Sequence, residues 1–271
     1  IVCDWLTSWG GAERVILAMH ELYPEAPIYA SLYDEKNLVQ FAGMDVRPSF
    51  LQKIPGAVRH HQRYIGLMPS AFESFDLSDY DVVISSCHSC AKGIITKPET
   101  LHVSYCHSPP RYLWDNCHQY IKDYPWPNFL KKTIIPSALY KLRLWDRAAA
   151  DRVDRYIANS NYIAGRIAKY YRREAEVIYP PVDMDSFDSA ERDDYFLAVG
   201  RLIPYKRFDL IVGAFNELGL PLKIIGVGNQ EKILKSKAAS NIEFLGMVPE
   251  DELKNYYKSA QAFIFPQVED F

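Results

Sequence analysis

Short apolar runs with the character of strands alternate with stretches of helical spacing along almost the whole chain, the pattern of βαβ units built around a parallel sheet. In the first part, strands are predicted at residues 1–3, 81–85, 101–105 and 155–158. Between the first two, Val15, Ile16, Met19 and Leu22 recur at helical spacing and predict a helix over 12–22. Asn159-Ser160-Asn161 reads as the helix start after the fourth strand. Pro180 and Pro181, then an acidic stretch over 183–194, interrupt regular structure and place the domain boundary. A second series follows: strand 195–200, helix 208–218, strands 222–226 and 242–245, helix 250–259 and strand 262–265. Two consecutive Rossmann-like domains, 1–180 and 181–271, are the simplest architecture, in the α/β class. Residues 47–63 show no regular pattern and are read as irregular, with a loop over a cleft as one reading.

The bulk numbers exclude some functions. A net charge of -3 over 271 residues lacks the basic excess of a nucleic-acid binder, so any anion site is local. Five cysteines, an odd number scattered over a long chain, argue against a disulfide framework and for a reducing, cytoplasmic setting. No apolar run approaches the ~20 residues that span a bilayer, so a membrane role is peripheral, at the inner face of the plasma membrane. The chain opens inside an apolar run, Ile1-Val2-Cys3, and stops at Phe271 after a predicted strand, so both ends are expected to be cut and the second domain incomplete.

In open α/β sheets ligands sit beyond the carboxyl ends of strands, which directs attention to four places. Gly10 and Gly11 lie between the first strand and first helix, where backbone N–H groups can hold an anion; a simple turn is the alternative. His107 opens a proline-stiffened loop, His107-Ser108-Pro109-Pro110-Arg111-Tyr112, directly after a strand. Gly200, Arg201 and Lys206 sit between a strand and a helix starting near Phe208. Cations oppose the dipole at a helix start, so a bound diphosphate accounts for them more naturally than a structural role, a solvated charge cluster being the alternative. Glu269 and Asp270 follow the last predicted strand.

Other patterns carry less. Cys87-His88-Ser89-Cys90 has the spacing of half a zinc knuckle without a second cysteine pair, and no metal site is expected. Gly226-Val227-Gly228 lacks the third glycine of a dinucleotide fingerprint. Asp183-Met184-Asp185 and Asp79-Tyr80-Asp81 resemble a metal clamp, but one lies in the linker and the other leads into a strand. Arg and Lys neutralise leaving-group charge without a metal ion, so no metal and no cofactor is expected.

Together, Gly10-Gly11-Ala12-Glu13-Arg14, His107-Ser108-Pro109, Gly200-Arg201 through Lys206, and Glu269-Asp270-Phe271 resemble glycosyltransferase family four, a retaining family of the GT-B fold. The stretch from His107 to Asp115 is most similar to bacterial mannosyl- and glucosyltransferases of surface-polysaccharide assembly. The resemblance implies a nucleotide-sugar donor, UDP- or GDP-linked, in a cleft between two Rossmann-like domains. Arg201 and Lys206 then contact its diphosphate and Gly11 closes over it. His107 and Glu269 face the transferred sugar, Asp270 and Phe271 supply backbone donors, and Met247 and Val248 lie against the base. Arg111 and Tyr112 fall on the acceptor side. The family's second motif glutamate falls beyond Phe271.

The implied chemistry is retaining hexose transfer to a saccharide or lipid-linked saccharide, the diphosphate accepting the acceptor's proton. Rivals are a sugar-nucleotide epimerase or phosphorylase, and a catalytically silent module that binds a glycan or a partner. Residues 130–155 mix Lys131, Lys132, Lys141 and Arg143 with Ile134, Leu139 and Leu144, which reads either as a solvated helix face or as a surface for anionic lipid.

Overall fold

The computed structural model describes residues 1–123, 127–182 and 191–266. The chain forms two compact units, the first ending at Pro181 and the second beginning at Val182.

The first unit contains β1 (Val2–Cys3), α1 (Gly11–Leu22), β2 (Ile28–Ala30), β3 (Val46–Pro48), α2 (Met68–Glu73), β4 (Val82–Cys87) and β5 (Leu101–Cys106). It continues with α3 (Cys117–Asp123), α4 (Asn128–Lys132), α5 (Ile134–Ala150), β6 (Arg155–Ala158), α6 (Asn161–Tyr171) and β7 (Glu176–Val177). Among the described residues its strands form one parallel sheet in the order β3-β2-β1-β4-β5-β6-β7. Burial on both faces explains the near-continuous apolar or small composition of β1 and β2 and of the carboxyl ends of β4 and β5. On one side Phe72, Leu77, Val83 and Ile94 are buried together, and on the other Leu6, Ile16, Ile28 and Phe41. Helix α6 starts as its sequence demands, with Ser160 Oγ accepting from the Ile163 N–H.

The second unit contains β8 (Phe196–Val199), α7 (Phe208–Leu218), β9 (Leu222–Ile225), α8 (Glu231–Lys237), β10 (Ile242–Gly246), α9 (Glu250–Ser259) and β11 (Ala262–Phe263). Its described strands form a parallel sheet in the order β10-β9-β8-β11. Phe208, Ile211, Val212 and Phe215 of α7 bury one helical stripe against Ala198, Leu222 and Ile224. Both units are therefore α/β with parallel sheets.

The 47–63 region departs from its irregular reading at its start. Val46–Pro48 pairs with β2 at the sheet edge, where the missing proline N–H costs nothing. Arg47 is pinned there by Asp45 and by the Tyr29 hydroxyl at 2.8 Å. The remainder of that region turns in short 3-10 segments at Phe50–Lys53 and His61–Tyr64. No described helix is long and apolar enough to cross a membrane.

Candidate functional site

The two sheets share one topology. In each, the third, second, first and fourth strands lie side by side in that order, so the connections diverge between the first and fourth strands. That divergence opens a crevice at the carboxyl ends of those strands, where doubly wound sheets bind ligands. In the first unit the position lies above β1 and β4; in the second it lies above β8 and β11.

Above β1 the chain turns through Asp4, whose buried carboxylate accepts four backbone N–H groups from the turn after β4. Oδ2 takes those of His88 at 2.6 Å and Ser89 at 2.8 Å, and Oδ1 those of Cys90 at 2.6 Å and Ala91 at 2.8 Å. A carboxylate bonded in this way fixes the loop, since each charge-assisted bond is among the strong ones. The Cys87-His88-Ser89-Cys90 turn is therefore wrapped around an anion, with Cys87 and Cys90 as buried free thiols. Among the described residues no group of three or more His, Cys, Asp and Glu side chains is arranged to hold a metal ion.

Strands β4 and β5 stay in register from Val82 opposite Leu101 to Cys87 opposite Cys106, so His88 and His107 leave the sheet side by side. Their rings meet edge to face with centroids 6.4 Å apart, and His88 packs on Trp5 at 4.6 Å, which in turn lies 4.8 Å from His61. His107 Nε2 pairs with Ser86 Oγ at 2.8 Å. Burial and the neighbouring His88 push the His107 pKa down to about 3, so the imidazole is neutral at pH 7 and offers hydrogen bonds rather than charge.

The loop after His107 is held from behind. Arg166 donates to the Pro109 carbonyl at 3.1 Å and forks onto Asp115; Arg143 Nε donates to the Leu113 carbonyl at 2.6 Å; Trp114 Nε1 donates to Asp146 at 2.9 Å. Asp146 is itself buried in an ion pair with Lys92. Tyr112 shares its hydroxyl with Ser89 Oγ at 2.7 Å, so this side chain ties the two loops together, while Arg111 is half-buried beside it. At the start of α1, Gly10 is extended and provides no side-chain cap, and a Cβ on Gly11 would meet nothing within 4 Å. Backbone amides can be approached closely there.

In the second unit Gly200 leaves β8 at φ 156°, a region that favours glycine, and Arg201 follows, exposed. The loops after β8 and β9 run backbone against backbone. Gly200 N donates to the Ile225 carbonyl and Leu202 N to the Val227 carbonyl, both at 3.0 Å. A Cβ on Gly226 would fall 2.0 Å from the Gly200 carbonyl oxygen, and one on Gly228 would fall 2.2 Å from that of Leu202. The Gly226-Val227-Gly228 pattern thus serves close loop packing beneath Arg201. Tyr205 links the two cations: its hydroxyl accepts from Arg201 at 3.4 Å, and Lys206 Nζ lies 5.5 Å from its ring centre. Arg207, by contrast, is engaged by Asp209 at 3.0 and 3.1 Å at the start of α7. A cavity of about 320 Å³ opens beside this turn, lined by Ile203, Pro204, Arg207, Phe208, Asp209, Gln230 and Leu234. Met247, 74% exposed, and Val248, packed near Tyr195, follow β10.

The structure therefore brings Asp4, Trp5, His61 and His88 together with His107, and Tyr205 with Arg201 and Lys206. Asp4, Trp5 and His61 carry no local sequence signal, because their partners lie far off in the chain and meet them only once the sheet has formed, while His88 is visible only within the Cys87-His88-Ser89-Cys90 spacing. Glu269, Asp270 and Phe271, like Asp183 and Asp185, lie outside the described residues. A larger, mainly apolar cavity of about 470 Å³ lies at the opposite, amino end of the first sheet, among Ile1, Leu22, Pro27, Leu77 and Val82, and offers little for chemistry.

The model of Glycosyltransferase Family 4 matches residues 9–186, and that of glycosyl transferases group 1 matches residues 181–271. An uncharacterized glycosyltransferase of Methanocaldococcus jannaschii is 25% identical over 130 residues, 46% of this chain and 37% of that protein. The chain thus spans well under two thirds of the curated relative it matches. Sucrose-phosphate synthase of Thermosynechococcus elongatus is similar in structure with a TM-score of 0.63 at 12% identity, over 98% of this chain and 75% of that one. The catalytic domain of starch synthase IV of Arabidopsis thaliana, solved with ADP and acarbose, has a TM-score of 0.57 at 12% identity, over 98% and 78%. These likenesses show the fold as GT-B. With a family model covering well over half of its length, the chain belongs to glycosyltransferase family 4.

Proposed function

We propose that the chain transfers a hexose, glucose or mannose, with retention from a nucleoside diphosphate sugar to a saccharide or lipid-linked saccharide in surface-polysaccharide synthesis. The observation that carries this reading is the turn after β8. Arg201 and Lys206 flank Tyr205 at the carboxyl edge of a parallel sheet, and the third cation, Arg207, is already engaged by Asp209.

In the proposed step the bond from the anomeric carbon to the diphosphate oxygen breaks, and the diphosphate leaves with the electron pair. The acceptor oxygen bonds to the same face of that carbon, and its proton passes to a diphosphate oxygen. Arg201 and Lys206 stabilise the charge that grows on the leaving group, an electrostatic effect worth several kcal/mol where the donors are fixed beforehand. No metal or cofactor enters this scheme. Gly10 and Gly11 add backbone donors, Gly200 lets the turn approach the phosphates, Met247 and Val248 meet the base, and neutral His107 hydrogen-bonds the sugar. Glu269, Asp270 and Phe271 complete the donor contacts, and Arg111 lies on the acceptor side. The working place is the cytoplasm, at the inner face of the plasma membrane.

Titration calorimetry with UDP and with GDP tests the reading. One of the two is expected to bind, and Lys206→Ala to weaken it. Binding of neither, or equal binding by the variant, overturns the assignment of the diphosphate to this turn.

A further inference from the structure

The segment behind the His107 loop carries a surface that neither sheet edge uses. Residues 124–145 contain no Asp or Glu, yet include Lys131, Lys132, Lys141 and Arg143. In α5 the inward side is defined by Leu142, Asp146, Ala149 and Ala150, all buried. Helical spacing puts Tyr140 and Leu144, four residues apart, on the side away from these, with Lys141 flanking them. Tyr140 is 57% and Leu144 55% exposed; Ile134 at the start of α5 is 58% exposed, and Phe129 in α4 is 65%. Four large apolar side chains thus face outward within sixteen residues.

The charges beside them are of one sign. Arg143 turns inward to the Leu113 carbonyl, and Lys131 donates to the Lys122 carbonyl at 2.8 Å, while Lys132 and Lys141 stand exposed. The carboxylates that follow the stretch are occupied: Asp146 is buried against Lys92, and Asp151 is held by Arg147 at 2.6 Å. A second copy of the chain on this face would bring like charges together, which opposes association. A layer of anionic headgroups over hydrocarbon satisfies both the lysines and the apolar side chains.

We propose that α4 and the outer side of α5 form a docking surface for an anionic lipid bilayer, with Phe129, Ile134, Tyr140 and Leu144 entering the headgroup boundary and Lys132 and Lys141 meeting lipid phosphates. The proposal rests on the reading of a transferase that works on a lipid-linked acceptor, and it locates the membrane contact on named residues.

Flotation with vesicles of phosphatidylcholine, with and without phosphatidylglycerol, tests it. The chain is expected to float only with the anionic vesicles, and less at high salt. The double variant Lys132→Glu/Lys141→Glu is expected to lower partitioning at least ~25-fold, at about fivefold for each lysine lost from an anionic surface. Leu144→Ser and Tyr140→Ser are expected to lower it as well, and Lys232→Glu, an exposed lysine of the second unit, to leave it unchanged. All substituted side chains are exposed, and circular dichroism checks that each variant is folded. Absence of flotation on anionic vesicles, an equal loss in Lys232→Glu, or a vesicle-free dimer that Leu144→Ser dissolves would each overturn the proposal. Transfer to a soluble acceptor is measured in parallel: its absence sinks the transferase reading, whereas unchanged transfer with lost flotation supports the docking surface.

Discussion

At the scale of single residues, the turn after β8 separates cations that look alike in the sequence. Arg201, Lys206 and Arg207 form one basic cluster in print. In three dimensions Arg207 is bonded to Asp209, whereas Arg201 and Lys206 share Tyr205. An exposed pair such as Arg207–Asp209 contributes little to stability, because water screens it. A cation that stabilises a leaving group contributes more to the transition state. Replacing Lys206 by Ala is therefore expected to lower turnover about a hundredfold with no change in melting temperature. Arg207→Ala is expected to cost less than about threefold in turnover. Steady-state kinetics and thermal melting of the two variants check this; similar turnover in both would remove the distinction. The position of this turn was legible because strand, glycine, cations and helix are contiguous. Asp4 and His88 were not, since the carboxylate finds the backbone of residues 88–91 only after β1 and β4 pair.

At the scale of elements, the loops after β8 and β9 behave as one unit. Gly228 has no room for a side chain because the Leu202 carbonyl oxygen would lie 2.2 Å from its Cβ, and that oxygen belongs to backbone that a rotamer change cannot relieve. Leu202 is buried and its carbonyl also accepts from the Gln230 N–H at 3.0 Å. Gly228→Ala must therefore displace the turn carrying Arg201, at a cost of about 1–3 kcal/mol, the usual range for overpacking. Urea unfolding should show that loss, and calorimetry should show weaker binding of the nucleoside diphosphate. An unchanged affinity would mean that the turn moves without consequence for the ligand. The longer helices were readable from periodicity, as in α7, where Phe208, Ile211, Val212 and Phe215 fall on one stripe. β3 was not, because three residues ending in Arg47 and Pro48 at a sheet edge show neither alternation nor burial. Helix α5 was visible as an amphipathic segment, but its inward side could not be read, because Asp146 is a buried charge paired with Lys92 rather than part of the solvated face.

At the scale of the whole molecule, titratable chemistry near neutrality is confined to one unit. All seven histidines lie before residue 119, and the second unit has none. His102, a fully buried residue of β5 with Nε2 2.9 Å from Ser85 Oγ, has its pKa pushed down to about 4, chiefly by burial. Its folded value thus lies below the value of about 6.5 for an unfolded histidine. Between these values the unfolded chain binds more protons than the folded one, so stability is fully present above pH ~6.5 and falls as the pH drops toward ~4. The interval corresponds to roughly 3 kcal/mol for this group. His107 and His61 are displaced in the same direction. The carboxylates with lowered pKa, Glu73, Asp76 and Asp209, start from 4.5 or below, so their contributions are lost mainly below pH ~5. Hydrogen exchange at pH 7 and pH 5, corrected for intrinsic rates, should therefore show protection falling in β4, β5 and α6 while α7 and β9 keep theirs. His102→Gln, which keeps a side-chain partner for Ser85 without a titrating ring, should reduce the loss. An equal loss of protection in both units would show that the acid sensitivity arises elsewhere than in these buried imidazoles.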